Sequence, residues 1–166
     1  MKKNISYLLI SCLILLNTSC WIPEGEEPQY ESYDYDPVTL SRDAFENSTK
    51  LIDNQPIEKS GKIYIKDDFL IINEPNKGFH IYDNTDPENP KKLKFLQVLG
   101  STDLSIKGNN IYANNAIDLI AISIDDEFNT INITKRIRNI FPELQSPDGF
   151  YNNETNITVD WKLKTN

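Results

Sequence analysis

The sequence predicts an all-β fold, and three observations carry that prediction. Apolar and polar residues alternate over short runs, the period of a strand with one buried face. The runs are punctuated by residue pairs suited to tight turns, Asp67-Asp68 and Gly108-Asn109, and by Asx- and Pro-rich loops. The pattern of Gly61–Pro90 returns in weaker form from Asp103 to Ile124, a spacing of about 40 residues that marks a repeat.

In the first unit, about 61–100, Ile63–Lys66 alternates faces and turns at Asp67-Asp68 into the apolar run Phe69–Ile72. A loop at Asn73–Gly78 leads to Phe79–Tyr82, then an Asx/Pro turn at Asp83–Pro90 to Leu93–Leu99. Gly78 is free to take a positive φ. The second unit, about 103–140, offers Leu104–Lys107, Ile111–Asn114, Asp118–Ser123 and Ile131–Ile137 in the same order. Four short strands in about 40 residues is the size of a β-propeller blade. The expected body, residues 56–166, is therefore two four-stranded blade-like repeats, a partial propeller. An extra strand is expected near 156–163, where Ile157, Val159 and Trp161 alternate.

Residues 39–55 read as a short α-helix. Ser41 suits the N-cap, Asp43 the first turn, and Ala44, Phe45 and Leu51 an apolar stripe, with Pro56 forbidding continuation. The expected helix is Arg42–Ile52. Ahead of it, residues 20–38 are rich in acid, proline and tyrosine, among them Glu24, Glu26, Glu27, Tyr30, Glu31, Tyr33, Asp34, Tyr35 and Asp36. This composition predicts a disordered tether. Residues 1–19 have the form of a signal peptide, with Lys2 and Lys3 before the apolar run Ile5–Leu16, too short to span a bilayer comfortably.

The 166 residues suit a single domain, and a formal net charge of −8 argues against nucleic acid as a partner, since phosphate binding needs clustered Lys and Arg. The two cysteines, Cys12 and Cys20, both fall in the leader region, so the body holds no thiol chemistry and no disulfide. Neither a catalytic group nor a cofactor is expected. His80 is the lone histidine and sits mid-strand between apolar neighbours, where a structural role is expected and a zinc site is not. Asp83–Asp86 and Asp125-Asp126-Glu127 cluster oxygens, but without EF-hand spacing, and Asx turns account for them. Asp103 and Asp118 raise glycosidase chemistry, yet nothing in the sequence sets their separation.

Two stretches resemble known families. Leu16-Asn17-Thr18-Ser19-Cys20 resembles the lipobox of bacterial lipoproteins, with Asn17 where Leu is preferred, a relaxation familiar in Bacteroidetes. The resemblance implies lipidation of Cys20, a membrane anchor and an outer-membrane location. The acidic residues after Cys20 resemble a surface-export signal. The body is similar to the LVIVD-repeat lipoproteins of Bacteroidetes over about residues 37–141. It carries Lys77-Gly78, His80-Ile81, Asp83, Pro87 and Pro90, then Thr102-Asp103, Lys107-Gly108-Asn109, Ile111-Tyr112-Ala113 and Asp118-Leu119. Ser123 stands where Asp is usual, and Leu99 where Pro is common. This family's members place a helix and a propeller-like array after a lipoprotein signal, so the resemblance implies location and fold but no reaction. A non-catalytic interaction or scaffold role is expected, with glycan or nutrient binding as the alternative.

Propellers close with about four blades or more, and repeat arrays generally need about three units. Two blades and a stub lead to three expectations. The chain is the N-terminal part of a longer propeller, or an open two-sheet domain, or a domain whose sheet edges pair with another copy or another protein.

Overall fold

The computed structural model describes residues 34–125 and 127–165. Its strands run β1 (Tyr35–Leu40), β2 (Lys50–Asp53), β3 (Ile63–Lys66), β4 (Phe69–Glu74), β5 (Gly78–Asp83), β6 (Lys91–Gln97), β7 (Leu104–Lys107), β8 (Asn110–Asn115), β9 (Asp118–Ile124), β10 (Ile131–Ile137) and β11 (Ile157–Leu163). One helix, α1 (Arg42–Glu46), lies between β1 and β2. The fold is all-β and antiparallel, in three open sheets of order β2-β6-β5-β4-β3, β10-β9-β8-β7 and β1-β11.

The strands of β3–β6 and β7–β10 form two meanders that match in detail. The β3–β4 turn has Asp67 at φ 50 and the β7–β8 turn has Gly108 at φ 56. The next turns carry Asn76 at φ 65 and Ala116 at φ 44. Each fourth strand has a bulge opposite the same place in the third, between Ile81 and Tyr82 in one sheet and between Ala121 and Ile122 in the other. Such a bulge adds local twist and re-aims the side chains that follow.

The two sheets pack through opposite faces. From the first, Ile71, Phe79, Ile81 and Leu96 enter the shared core; from the second, Leu104, Ile111, Ile120 and Ile122 do. Phe128, at φ 54 in the β9–β10 loop, reaches back to Phe69 with ring centroids 4.5 Å apart.

Three expectations need correction. The helix stops after Glu46 instead of running to Ile52. Ser41 caps its start, accepting from the Ala44 N–H at 3.3 Å. At its end the Asn47 and Ser48 side chains bond back to the Asp43 and Phe45 carbonyls, as such residues do when they compete with helix propagation. Leu51 and Ile52 instead pair with Leu96 and Phe95, making β2 a fifth strand of the first sheet. Tyr35–Pro37, expected within the tether, is strand. It pairs with Leu163–Trp161, so the extra strand β11 is partnered by the N-terminal arm. Under this ribbon Phe45, Ala116, Ile157 and Val159 form a second core.

Candidate functional site: an open groove on the second sheet

The outer face of the second sheet carries a groove of about 590 Å³, walled by Tyr112, Leu119, Phe141, Pro142 and Leu144, with Asp103 on its rim. Its size lies in the usual range for ligand sites, and its lining is mainly apolar with a few polar groups. Tyr112 and Phe141 are 39% and 40% exposed. Tyr112 reaches the groove because β8 alternates: Ile111 and Ala113 enter the core and Tyr112 points away from it. Leu119 does the same on β9, between the core residue Ile120 and the inward Asp118.

The far wall is the strand-free segment after β10, fixed at both ends. At one end the Ile140 and Phe141 amides donate to the Ile117 carbonyl at 2.9 and 3.0 Å, and the Asn139 amide donates to Asp118 Oδ1 at 3.0 Å. At the other end the Trp161 indole donates to the Leu144 carbonyl at 3.1 Å. The wall is thus preformed, which limits the ordering cost of binding.

Asp118 is the buried hub behind this wall, with no solvent exposure. Its Oδ2 accepts from Arg42 at 2.6 Å and from Arg136 at 2.8 Å. Arg42 also donates to Asn139 Oδ1 at 2.8 Å, and Arg136 to Asn115 Oδ1 at 2.9 Å. Both guanidinium groups lie over the Phe45 ring, at 5.6 and 5.3 Å, a favourable cation–π arrangement. Burial pushes the Asp118 carboxyl up, but the Asn139 amide and the two arginines outweigh it and hold the pKa below its ordinary value. One carboxylate therefore ties α1, β10 and the groove wall together.

Asp103 accepts from Lys62, from the Tyr64 hydroxyl and from the Leu104 amide. Lys62 first, then Tyr64, hold its carboxyl below the usual range against partial burial. Burial, then Asp103, push the Tyr64 phenol up to about 12. Ionised Asp103 thus pins the seam where β3 of one sheet meets β7 of the other.

The remaining motif residues are spread over the first sheet and the turns. His80 is buried, its Nε2 at 2.6 Å from Glu74 Oε2 and its ring 4.6 Å from Phe95. Lys77 pairs with Glu58 and Glu74. Burial pushes Glu74 up, while His80 and Lys77 together hold it below its ordinary value. Gly78 has φ 143, and a Cβ there would stand 2.1 Å from the Leu96 carbonyl oxygen. Asp83 accepts from the Thr85 amide and hydroxyl; Pro87 and Pro90 are exposed in the turn that follows. Lys107 is exposed at the end of β7, next to the turn residue Gly108. Asp125 caps its own loop through the Glu127, Asn129 and Thr130 amides. Cys12, Cys20, Tyr30, Tyr33 and Asp126 lie outside the described residues. Among the described residues no His, Cys, Asp and Glu side chains group to hold a metal, and no helix is long and apolar enough to cross a membrane.

No match is found. Neither protein-family models, nor curated proteins, nor solved structures pair with this chain, so the groove is read from its own chemistry. It was not legible in the sequence as a site. Tyr112 and Leu119 are strand residues like their neighbours, and Phe141 joins them only through the long-range bonds to Ile117 and Asp118.

Proposed function

We propose that this chain is a non-catalytic interaction module of the cell envelope, a lipoprotein anchored through Cys20, whose two blade-like meanders present the groove of the second sheet to a partner. The observation that carries the reading is the groove itself: preformed, apolar, and lined by two half-exposed aromatic rings. A catalytic reading finds less support. Asp103 on the groove rim and Asp118 behind its wall are both held below the ordinary carboxylate value by their hydrogen-bonding and cationic neighbours, whereas a general acid needs a raised pKa. The lipoprotein part rests on the leader's resemblance to a lipobox and the propeller part on the matched meanders.

A photo-crosslinking residue in place of Leu119, in cells, tests the interaction role. A discrete protein adduct is the expected result, and absence of any adduct overturns the reading. Metabolic labelling with a fatty acid tests the anchor: label and membrane association are both expected to vanish in Cys20→Ala. Glycan binding is the second reading, favoured by Tyr112 and Phe141 sharing one groove, since the apolar faces of sugar rings stack on aromatic rings. Retention on envelope polysaccharide that is lost in both Tyr112→Ala and Phe141→Ala would select it.

A further inference from the structure

The matched registers of the two meanders define two kinds of sheet face. In the first sheet Tyr64 pairs with Ile71 and Phe79 with Leu96, and all four share the face that enters the core. Their counterparts in the second sheet are Ser105, Tyr112, Leu119 and Ile137. These turn away from the core, and Tyr112 and Leu119 line the groove. The reverse holds for the other face. Leu104 and Ile106 of the second sheet pack into the shared core, while their counterparts Ile63 and Ile65 are 63% and 70% exposed. One face type thus meets the other once inside the chain; of the remaining two, the second sheet's carries the groove, and the first sheet's, buried across His80 and Phe95, leaves only the Ile63/Ile65 edge exposed as an apolar ridge.

We infer that the groove of the second sheet receives the Ile63/Ile65 ridge of a second copy of this chain, so that copies join head to tail. The inference rests on the interaction-module reading and names its partner. It continues an interface the chain already contains: groove positions Tyr112 and Leu119 correspond to Ile71 and Phe79, which share the internal core with Leu104 and Ile106, and the ridge supplies the counterparts of Leu104 and Ile106. Charge does not oppose it. Inside the chain Lys62 of the first meander pairs with Asp103 of the second, and these are counterpart positions. A head-to-tail contact therefore brings Asp103 on the groove rim near Lys62 beside the arriving ridge, each already paired with the other inside its own chain, so that like charges are not set against each other. The segment after β10 starts no new strand until β11, so the groove lies where a further sheet would stack. Heterologous contacts close into rings when the rotation permits. Two copies bring four blade-like units, about the smallest number at which propellers close.

The test uses the full chain extracted from membranes in mild detergent, with protein mass from light scattering. A dimer is expected for wild type. Ile65→Asp and Tyr112→Asp, each at an exposed position, are each expected to be monomeric with an unchanged circular dichroism spectrum. Mixing the two variants is the deciding arm. One retains the groove and the other the ridge, so a one-to-one heterodimer is expected, whereas a two-fold contact of like surfaces cannot be rescued by mixing. A monomeric wild type overturns the inference, as does a dimer that both variants preserve or a mixture that stays monomeric. If wild type is monomeric while the crosslinker at Leu119 captures a different protein, the interaction role stands and self-association alone fails.

Discussion

The two meanders share strand order, turn backbone and bulge, yet each buries a different polar fastener. In the first, Glu74 at the end of β4 bonds His80 across the hairpin and Lys77 in the turn. The counterpart of Glu74 is Asn115, and the carboxylate has moved to the start of β9 as Asp118, at the counterpart of Gly78. The first fastener joins residues within one hairpin. The second reaches Arg42, 76 positions away in sequence, and ties the N-terminal arm to the groove wall. The ladder of backbone bonds repeats because any alternating sequence can make it, whereas the attachment of each meander to the rest of the chain is particular to its place.

The sharpest way to break this comparison is to delete both fasteners in turn. Asp118→Ala leaves two guanidinium groups without their buried counter-charge, a change that costs about 3–5 kcal/mol. Glu74→Gln keeps an acceptor for His80 and leaves Lys77 its Glu58 partner, so about 1–2 kcal/mol is expected. Urea unfolding of the two variants measures both. The larger loss should come with slackening of the Ile140–Gln145 wall, seen as faster amide exchange at Phe141.

Acid sharpens the same contrast. The folded-state pKa of Asp118 lies below the ordinary 3.8, so its contribution is fully present above that pH and is lost as pH falls through the folded value. Wild type and Asp118→Asn should differ most near neutral pH and converge below about pH 4. A stability gap that stays constant into acid would contradict the hub role.

The strands were legible because alternation and turn residues are local signals: Asp67-Asp68, Gly108-Asn109 and the run Ile157–Trp161 each say what they do. Lys50–Asp53 reads as helix because Leu51 falls on the stripe begun by Ala44 and Phe45. What decides its state is β6, more than forty positions away, whose Phe95 and Leu96 offer it a ladder. Tyr35–Pro37 reads as tether for the same reason in reverse, since its partner β11 lies at the other end of the chain. Asp118 stands out in the sequence through family resemblance, but Arg42 and Arg136 carry no mark of being its partners. The groove is hidden further, because it depends on which face of each sheet is left uncovered.

Glycine positions give the next test. At Gly78 a methyl group would collide with the Leu96 carbonyl at 2.1 Å, at a φ that side chains rarely adopt. Gly78→Ala is therefore expected to cost about 3 kcal/mol by combining overpacking with backbone strain. The counterpart position already holds Asp118, so this demand belongs to the first meander.

The smallest expected effect exchanges the two matched turns. Asp67 and Gly108 both adopt left-handed backbone, at φ 50 and 56, and a Cβ on Gly108 meets nothing within 4 Å. Space is thus no constraint at Gly108, and the cost there is purely conformational. Asp67→Gly removes the Cβ penalty and also widens the unfolded ensemble, and it loses a surface pair with Lys66 that contributes little. The net change should lie within about 0.5 kcal/mol of zero. Gly108→Asp imposes the Cβ penalty but narrows the unfolded ensemble, with Lys107 beside it as Lys66 is beside Asp67, so its net change should also lie within about 0.5 kcal/mol of zero. Chemical denaturation of both variants and of the double exchange checks this. Equal and opposite shifts would mean that the turns are interchangeable parts of one repeat, and a larger loss at Gly108 than at Asp67 would mean that each turn is fitted to its own sheet.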